Sequence, residues 1–222
     1  MKQILWLSLL TLLLTSCGDF FTFDEGPDEW TGVTMTVMND SSCVMVGDSM
    51  PLRTQFSPYN PNESTVFWMT GDPYAVIRND TLVAQLAGEC NVVAIGGAGR
   101  LSDTCSVTVI DRWDTTDYSR TAPSDMVVYA KISVGGEEWN PDSMLVAAVV
   151  RGKVAGTAVR KRLFDTDYAV IRIWALADGN VGPVTFLCYD RRRFRLYRAE
   201  QKPDFVATQA LGTLSNLYTL SF

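Results

Sequence analysis

The sequence contains no histidine, and this absence removes several kinds of chemistry before any motif is considered. Histidine is the commonest general base and metal ligand in proteins, and it activates the nucleophile of Ser-His and Cys-His pairs. Zinc sites need histidine or clustered cysteine, and no C-x-x-C spacing occurs among the five cysteines. We therefore expect no catalytic residues, no metal site and no cofactor, as in a protein that is not an enzyme.

The sequence also lacks an apolar run near its start that is long enough to span a bilayer. A transmembrane helix needs about 20 apolar residues, whereas the run over 4–14 has 11. A run of this length after Lys2 is typical of a secretory signal. It ends in "LTSC", which resembles the lipobox of bacterial lipoproteins. The resemblance predicts a signal peptide over 1–16 and lipid attachment at Cys17; the alternative is a chance cysteine after an ordinary signal.

Residues 17–32 have neither helical nor strand periodicity and are rich in acidic residues, glycine and proline. The pattern predicts a tether. Acidic residues soon after a lipidated cysteine resemble the export signal of lipoproteins displayed on the outer face of some Gram-negative outer membranes. We therefore expect a lipid-anchored protein of the outer membrane that faces the cell exterior.

Net charge changes sign along the chain. Residues 17–111 carry 3 basic and 13 acidic residues, whereas 112–222 carry 15 basic and 12 acidic. The change supports a domain boundary near residue 111, and the absence of a strongly basic footprint argues against nucleic acid as a partner. We predict one domain over 33–111, a linker over 112–125 and a second domain over 126–222.

Short segments of alternating apolar and polar residues fill the first domain, separated by turn residues such as Gly47-Asp48 and Gly71-Asp72-Pro73. This pattern predicts many short strands and a β-sandwich. The order of "MVGDSMPLRTQFSPYN", "TVFWMTGDPYAVIRNDTLVAQLAGECNVVAIG" and "DTCSVTVID" resembles the group 2 bacterial immunoglobulin-like domain. The resemblance implies a spacer or binding module of the kind found in bacterial surface proteins and adhesins, without catalytic residues.

The second domain shows the same alternation in segments such as "MVVYAKISV", "SMLVAAVV" and "YAVIRIWA". Its order of segments, from "ISVGGEEWNPDSMLVAAVV" to "GTLSNLYTLSF", resembles a β-sandwich module at the C-terminal end of Gram-negative surface and secreted proteins. The predicted fold is therefore all-β, with two β-sandwich domains in tandem, the first of them immunoglobulin-like.

The remaining cysteines raise the question of a disulfide. If the "GGAG" turn centres between Gly97 and Ala98, Cys90 and Cys105 face each other on adjacent strands. An oxidising compartment would then permit a disulfide between them. The alternatives are two buried free thiols side by side, or a pairing with Cys43.

Candidate ligand contacts lie in the second domain. Arg191, Arg193 and Arg195 fall within "RRRFRLYR", where alternation predicts that Arg193, Arg195 and Tyr197 share one face. Arginine binds phosphate or sulfate groups bidentately, although a run of charge also suits a solvated edge strand. Trp139, in the "EEWNPD" loop, could stack on a sugar ring or serve as a packing anchor.

Three functions are compatible with this sequence. The leading hypothesis is a lipid-anchored surface protein of adhesion type, whose immunoglobulin-like domain is a spacer presenting the second sandwich to a glycan or to a surface or host protein. The first alternative is a structural subunit of a surface assembly, such as fimbriae or polysaccharide-uptake machinery. The less favoured alternative is a glycosidase that uses paired carboxylates.

Overall fold

The computed structural model describes residues 32–58, 65–96, 101–115, 124–175 and 181–222. Within these ranges the chain is all-β and contains no α-helix. Thr34–Phe222 forms one compact unit. The predicted signal peptide, Cys17 and nearly all of the predicted tether lie outside the described residues.

Nine strands make up the first sandwich. They are β1 (Thr34–Val37), β2 (Ser42–Met45), β3 (Ser49–Pro51), β4 (Thr54–Ser57), β5 (Phe67–Met69), β6 (Ala75–Arg78), β7 (Thr81–Ala84), β8 (Gly88–Gly96) and β9 (Leu101–Ile110). One sheet has the order β2-β9-β8-β5 and another the order β3-β7-β6, while β1 pairs with β4. Because β2 pairs with β9 in parallel and the other pairs are antiparallel, the strands give the immunoglobulin-like layout that the sequence predicts.

The core of this sandwich follows from alternation along its strands. On β8, Cys90, Val92 and Ala94 point inward and are fully buried, and they meet Val107 and Val109 of β9. Residues between them on β8 are more exposed. One buried face per strand is what a period of two residues dictates.

Nine further strands make up the second sandwich. They are β10 (Ser124–Val134), β11 (Glu137–Glu138), β12 (Met144–Val150), β13 (Lys153–Leu163), β14 (Thr166–Ala175), β15 (Thr185–Asp190), β16 (Arg195–Arg198), β17 (Ala210–Leu211) and β18 (Tyr218–Ser221). Their order is β11-β10-β14-β13-β12-β15-β16, and β17 and β18 pair with β10 in parallel.

Strand β13 turns this continuous sheet into two layers. Its first half pairs with β12, up to Thr157, and its second half pairs with β14, from Ala158 onward. Gly156 lies at this change of partner, where a Cβ atom would overlap the carbonyl oxygen of Arg172. Glycine therefore permits the close backbone approach on which the corner depends.

The second core lies between these two layers. The inward residues of β10, among them Met126, Val128 and Ala130, pack with Ile171 of β14 and Phe186 of β15. All five are almost completely buried. Because the inward faces of β10 and β14 supply this core, their opposite faces are turned away from it.

Candidate functional site

The outward faces of β10 and β14 carry an unusual number of apolar and aromatic residues. We call this surface the aromatic face and define it by Val127, Tyr129, Tyr168, Val170 and Trp174. The antiparallel register sets Tyr129 opposite Val170, so these side chains lie side by side on one surface.

The aromatic face is not part of the protein core. None of its five residues belongs to, or is assigned as packing against, the three buried clusters formed by the described residues. All five are partly exposed to solvent. The patch also extends onto β13, where Val159 lies opposite Val170 and is more than half exposed.

The aromatic rings have fixed neighbours. The ring centroids of Tyr129 and Tyr168 are 6.4 Å apart, with the planes tilted by 46°, which is within the favourable range for aromatic pairs. The guanidinium carbon of Arg172 lies 4.6 Å from the ring centroid of Trp174, at the distance of a cation–π contact. Arg172 Nε also donates to Asp125 Oδ2 at 2.5 Å, which fixes the guanidinium.

Two lysines flank the rings, and the exposed Glu138 of β11 lies on the same side of the sheet. Lys131 and Lys161 are exposed on the same side of the sheet, and Lys161 lies opposite Tyr168 in the β13–β14 register. The one acid on the described outward residues of β10, Asp125, is already paired with Arg172. The arrangement therefore offers aromatic surface with two flanking lysines, which suits binding of an anionic partner with apolar faces.

Two kinds of feature are missing from the part of the chain that is described. The described residues contain no cluster of three or more histidine, cysteine, aspartate or glutamate side chains that could hold a metal ion. Among those residues there is also no helix whose length and apolar character would let it cross a membrane.

Trp139 is not an exposed sugar platform. It is 8% exposed and belongs to the core of the second sandwich. Its Nε1–H donates to the carbonyl oxygen of Met144 at 2.7 Å. This correction has a simple cause: the loop folds back so that the indole fills the core while its N–H finds a backbone acceptor.

The predicted arginine site does not form either, because its members are used in holding the molecule together. Residues 191–194, which we call the junction turn, are a turn rather than a strand, so Arg193 does not share a strand face with Arg195. Arg193 pairs with Glu137 Oε1 at 2.5 Å and with Asp190 Oδ2 at 3.2 Å. Glu137 is exposed, and its hydrogen bond from Arg193 lowers the pKa of its carboxyl group.

The other two arginines reach the first sandwich. Arg191 Nε lies 3.1 Å from Asp48 Oδ2, and Arg195 Nη1 donates to the carbonyl oxygen of Ser41 at 2.9 Å. Tyr197 is half-buried and packs against the second core. Strand β16 is at an end of the strand order. The alternative prediction, an edge strand that carries charge, therefore fits the structure better than a ligand site does.

The junction turn connects the two sandwiches through backbone and ring contacts. Cys43 N–H donates to the carbonyl oxygen of Phe194 at 2.8 Å, and the Phe194 ring packs against the first core. The Met45 N–H donates to the buried Tyr189 hydroxyl at 3.3 Å. A small cluster of Cys43, Met45 and Tyr189 is buried between the sandwiches.

The predicted disulfide is corrected by the register of β8 and β9. Cys90 lies opposite Val107, and Cys105 lies opposite Val92, so the cysteines are diagonal neighbours. Diagonal positions are about 7–8 Å apart, which is beyond the usual disulfide span. Both residues are free thiols, as are Cys43 and Cys188. The structure agrees with the alternative to a disulfide in which Cys90 and Cys105 are two buried free thiols near each other.

Sequence reasoning missed the aromatic face, although a signal for it exists. In "MVVYAKISV" and "YAVIRIWA", apolar residues occur at both the odd and the even positions, and so on both faces of the predicted strand. A strand of a two-layer sandwich buries one face, so apolar residues on both faces leave one apolar face exposed. Trp174 and Tyr129 could have been identified from this excess.

No protein-family model matches the chain, and no curated protein does. Several solved structures are similar over most of its length. The extracellular cadherin domains 1–4 of protocadherin gamma B7 are 12% identical, with a TM-score of 0.30, over 78% of this chain and 50% of that chain. Domains 5–6 of the surface layer protein SbsC are 9% identical, with a TM-score of 0.30, over 80% and 96%.

The D1–D4 ectodomain fragment of ICAM-5 is 12% identical, with a TM-score of 0.30, over 86% of this chain and 52% of that chain. The chain spans 50% and 31% of the first two structures that it matches. Because the identities and TM-scores are this low, these similarities carry no argument about function.

Proposed function

We propose that this chain is a cell-surface binding protein of adhesion type, without enzymatic activity, whose partner contacts the aromatic face. The observation that carries the proposal is the partial exposure of Tyr129, Tyr168 and Trp174 on a sheet face that belongs to none of the cores formed by the described residues. Half-buried aromatic side chains held by neighbouring strands give a large contact area with little conformational entropy to lose on binding. The first sandwich serves as the spacer.

The proposed partner is a glycan that carries acidic groups. Sugar rings have apolar faces of C–H groups that stack on aromatic rings, and the Tyr129–Tyr168 pair offers two rings 6.4 Å apart. Lys131 and Lys161 flank the rings and suit carboxylate or sulfate groups on the sugar. Uncharged sugars would use the rings alone and bind more weakly.

A binding experiment tests this proposal. The chain from Gly18 onward, which retains every described residue, is applied to an array of neutral and acidic glycans. The affinity for the bound glycan is then measured for Tyr129→Ala and Tyr168→Ala. We expect each substitution to weaken binding by about tenfold, which corresponds to the loss of a contact of about 1.4 kcal/mol.

Phe67→Ala is the matched control, because Phe67 is a 70% exposed aromatic residue on the first sandwich. It should leave glycan affinity unchanged. Loss of binding in Phe67→Ala with normal binding in both tyrosine variants would contradict the assignment of the aromatic face. Specific turnover of any bound glycan would contradict the proposal that the protein is not an enzyme.

We also propose that Cys17 carries the lipid and that the protein is anchored in the outer membrane facing the cell exterior. The lipobox-like "LTSC" and the acidic segment after it support this. Cells fed a labelled fatty acid should incorporate label into the wild-type chain, whereas Cys17→Ser should carry none and leave the membrane fraction. Label that persists in Cys17→Ser would overturn the anchor site.

A structural subunit of a surface assembly is the second candidate, favoured by strand β5. This strand is at the end of its sheet, and Phe67 and Met69 on it are exposed. An open edge with apolar side chains is a site for adding a strand from another protein. Stoichiometric copurification with other surface proteins that is lost in Phe67→Ser would favour this function.

A further inference from the structure

The β13–β14 hairpin ends in an apolar tip that no packing explains. Phe164 is the first loop residue of the hairpin, between Leu163 and Asp165, and its side chain is 90% exposed. Leu163 is exposed as well. A phenylalanine with so little buried surface contributes nothing to the core, and it costs solvation free energy where it stands.

The backbone at Phe164 makes the choice of residue more unusual. Its φ is 53°, a left-handed conformation that is unfavourable for a side chain with a Cβ and is best suited to glycine or asparagine. Of the three other two-residue hairpin loops of the described chain, Asn79-Asp80 and Gly135-Gly136 use ordinary turn residues at positive φ, and Arg151-Gly152 begins with a long polar side chain. Phe164 is the apolar residue among these loops, and it gains neither core packing nor a favourable backbone conformation, which points to a role outside the folded chain.

Cationic residues lie directly behind the tip. Arg160, Lys161 and Arg162 precede Leu163 on β13, and all three are exposed. Asp167 pairs with Arg160 at 2.7 Å and with Arg162 at 3.7 Å, so one acid is shared by two guanidinium groups. Asp165 in the loop is exposed as well, so this end of the hairpin carries three cations and two acids, a net charge of +1.

We propose that this tip inserts Phe164 and Leu163 into the surface of an anionic lipid layer. A strand rises by about 3.3 Å per residue, so Arg162 and Lys161 lie about 7 and 10 Å behind Phe164. Apolar groups of interfacial proteins enter about 5–10 Å into the headgroup and acyl boundary. With Phe164 at that depth, the cations reach the lipid phosphates.

The order of the groups distinguishes a lipid layer from a glycan. Leu163 and Phe164 lie at the end of the hairpin beside Asp165, and the cations lie behind them, an order that matches a bilayer with its acyl chains beneath charged phosphates. An acidic glycan presents its charge at the surface and has no apolar layer below it. The tip proposal shares Lys161 with the surroundings of the aromatic face but rests on Phe164, which is not one of the residues of that face.

Vesicle binding tests the proposal with the chain from Gly18 onward, so that no acyl chain and no apolar signal contributes. Vesicles of phosphatidylcholine alone are compared with vesicles containing phosphatidylglycerol. We expect binding to the anionic vesicles and little to the neutral ones. Phe164→Gly should lower the affinity for anionic vesicles about tenfold or more, the effect of losing one inserted aromatic side chain.

Phe164→Gly also separates function from folding. Glycine accepts a positive φ freely, so the variant should unfold at the same temperature as the wild type or at a higher one. Leu214→Gly, at another exposed apolar residue, should bind vesicles like the wild type.

Three results would overturn the proposal. They are wild-type binding to neither vesicle, equal binding by the wild type and Phe164→Gly, and capture by soluble dextran sulfate that depends on Phe164. The last result would identify the tip as a polyanion site. Because Tyr129→Ala leaves the tip intact, a failed glycan test and a failed vesicle test can be told apart.

Discussion

At the residue scale, the buried cysteines are unreactive thiols, because burial keeps them protonated at neutral pH. Burial raises the pKa of the Cys43 and Cys105 thiols to about 11 and that of Cys188 to about 12. A thiol that stays protonated at neutral pH is a poor nucleophile. These residues therefore act as small apolar side chains in the cores and at the junction.

The raised thiol pKa values predict a loss of stability in alkaline solution. In the unfolded chain the thiols have a pKa near 9.0, so they ionise above that pH, whereas the folded chain keeps them protonated to about pH 11. The unfolded state then binds fewer protons, and the free energy of unfolding falls as pH rises from about 9 to 11. Each thiol contributes up to about 1.4 kcal/mol per pH unit.

Denaturant unfolding at pH 8, 9 and 10 measures this dependence. Cys188→Ala removes one raised thiol from the second core, so its free energy of unfolding should start lower but fall less steeply with pH. A slope identical to that of the wild type would contradict the assignment of the pH effect to buried thiols.

At the element scale, alternation predicts the strands well because one buried face is enough to reveal them. Strand β14 contains residues that also suit a helix, yet its alternating β-branched and aromatic side chains predict a strand, and it is one. Trp139 shows the limit of this reasoning. It lies outside any strand, so no periodicity indicates which way its side chain points.

The alternation of apolar and polar residues does not determine the register in which two strands pair. The predicted pairing of Cys90 with Cys105 differs from the observed one by two residues, since Cys90 lies opposite Val107. A shift of two keeps each side chain on the same face of the sheet. The pattern of apolar residues is therefore the same in both registers, and the free thiols could not be derived from it.

The arginine run was predicted to be a ligand site, and this prediction is wrong for a related reason. Sequence places Arg191, Arg193 and Arg195 close together but does not show that Asp48 and Ser41 of the first sandwich lie beside them. Contacts across more than 140 residues depend on how the sandwiches meet. Local pattern holds no information about them, so a contact surface was mistaken for a ligand site.

At the scale of the whole molecule, each sandwich has its own core and the junction joins them. The Phe194 ring belongs to the second sandwich in sequence but packs against the first core. The Phe194 carbonyl oxygen accepts a hydrogen bond from the Cys43 N–H of β2. The Arg195 guanidinium donates to the carbonyl oxygen of Ser41, which precedes β2. Contacts of this kind hold the aromatic face in a fixed relation to the first sandwich.

This joint predicts that the two sandwiches unfold together. Phe194→Gly combined with Arg195→Ala removes the ring and one hydrogen bond from the junction, about 2 kcal/mol of coupling, while glycine still accepts the positive φ of residue 194. Calorimetry should show a single transition for the wild type and two transitions for the double variant. Arg198→Ala, exposed on the same strand β16, should retain the single transition.

Two transitions already in the wild type would mean that the junction does not couple the cores, because independent domains melt separately whatever residue 194 is.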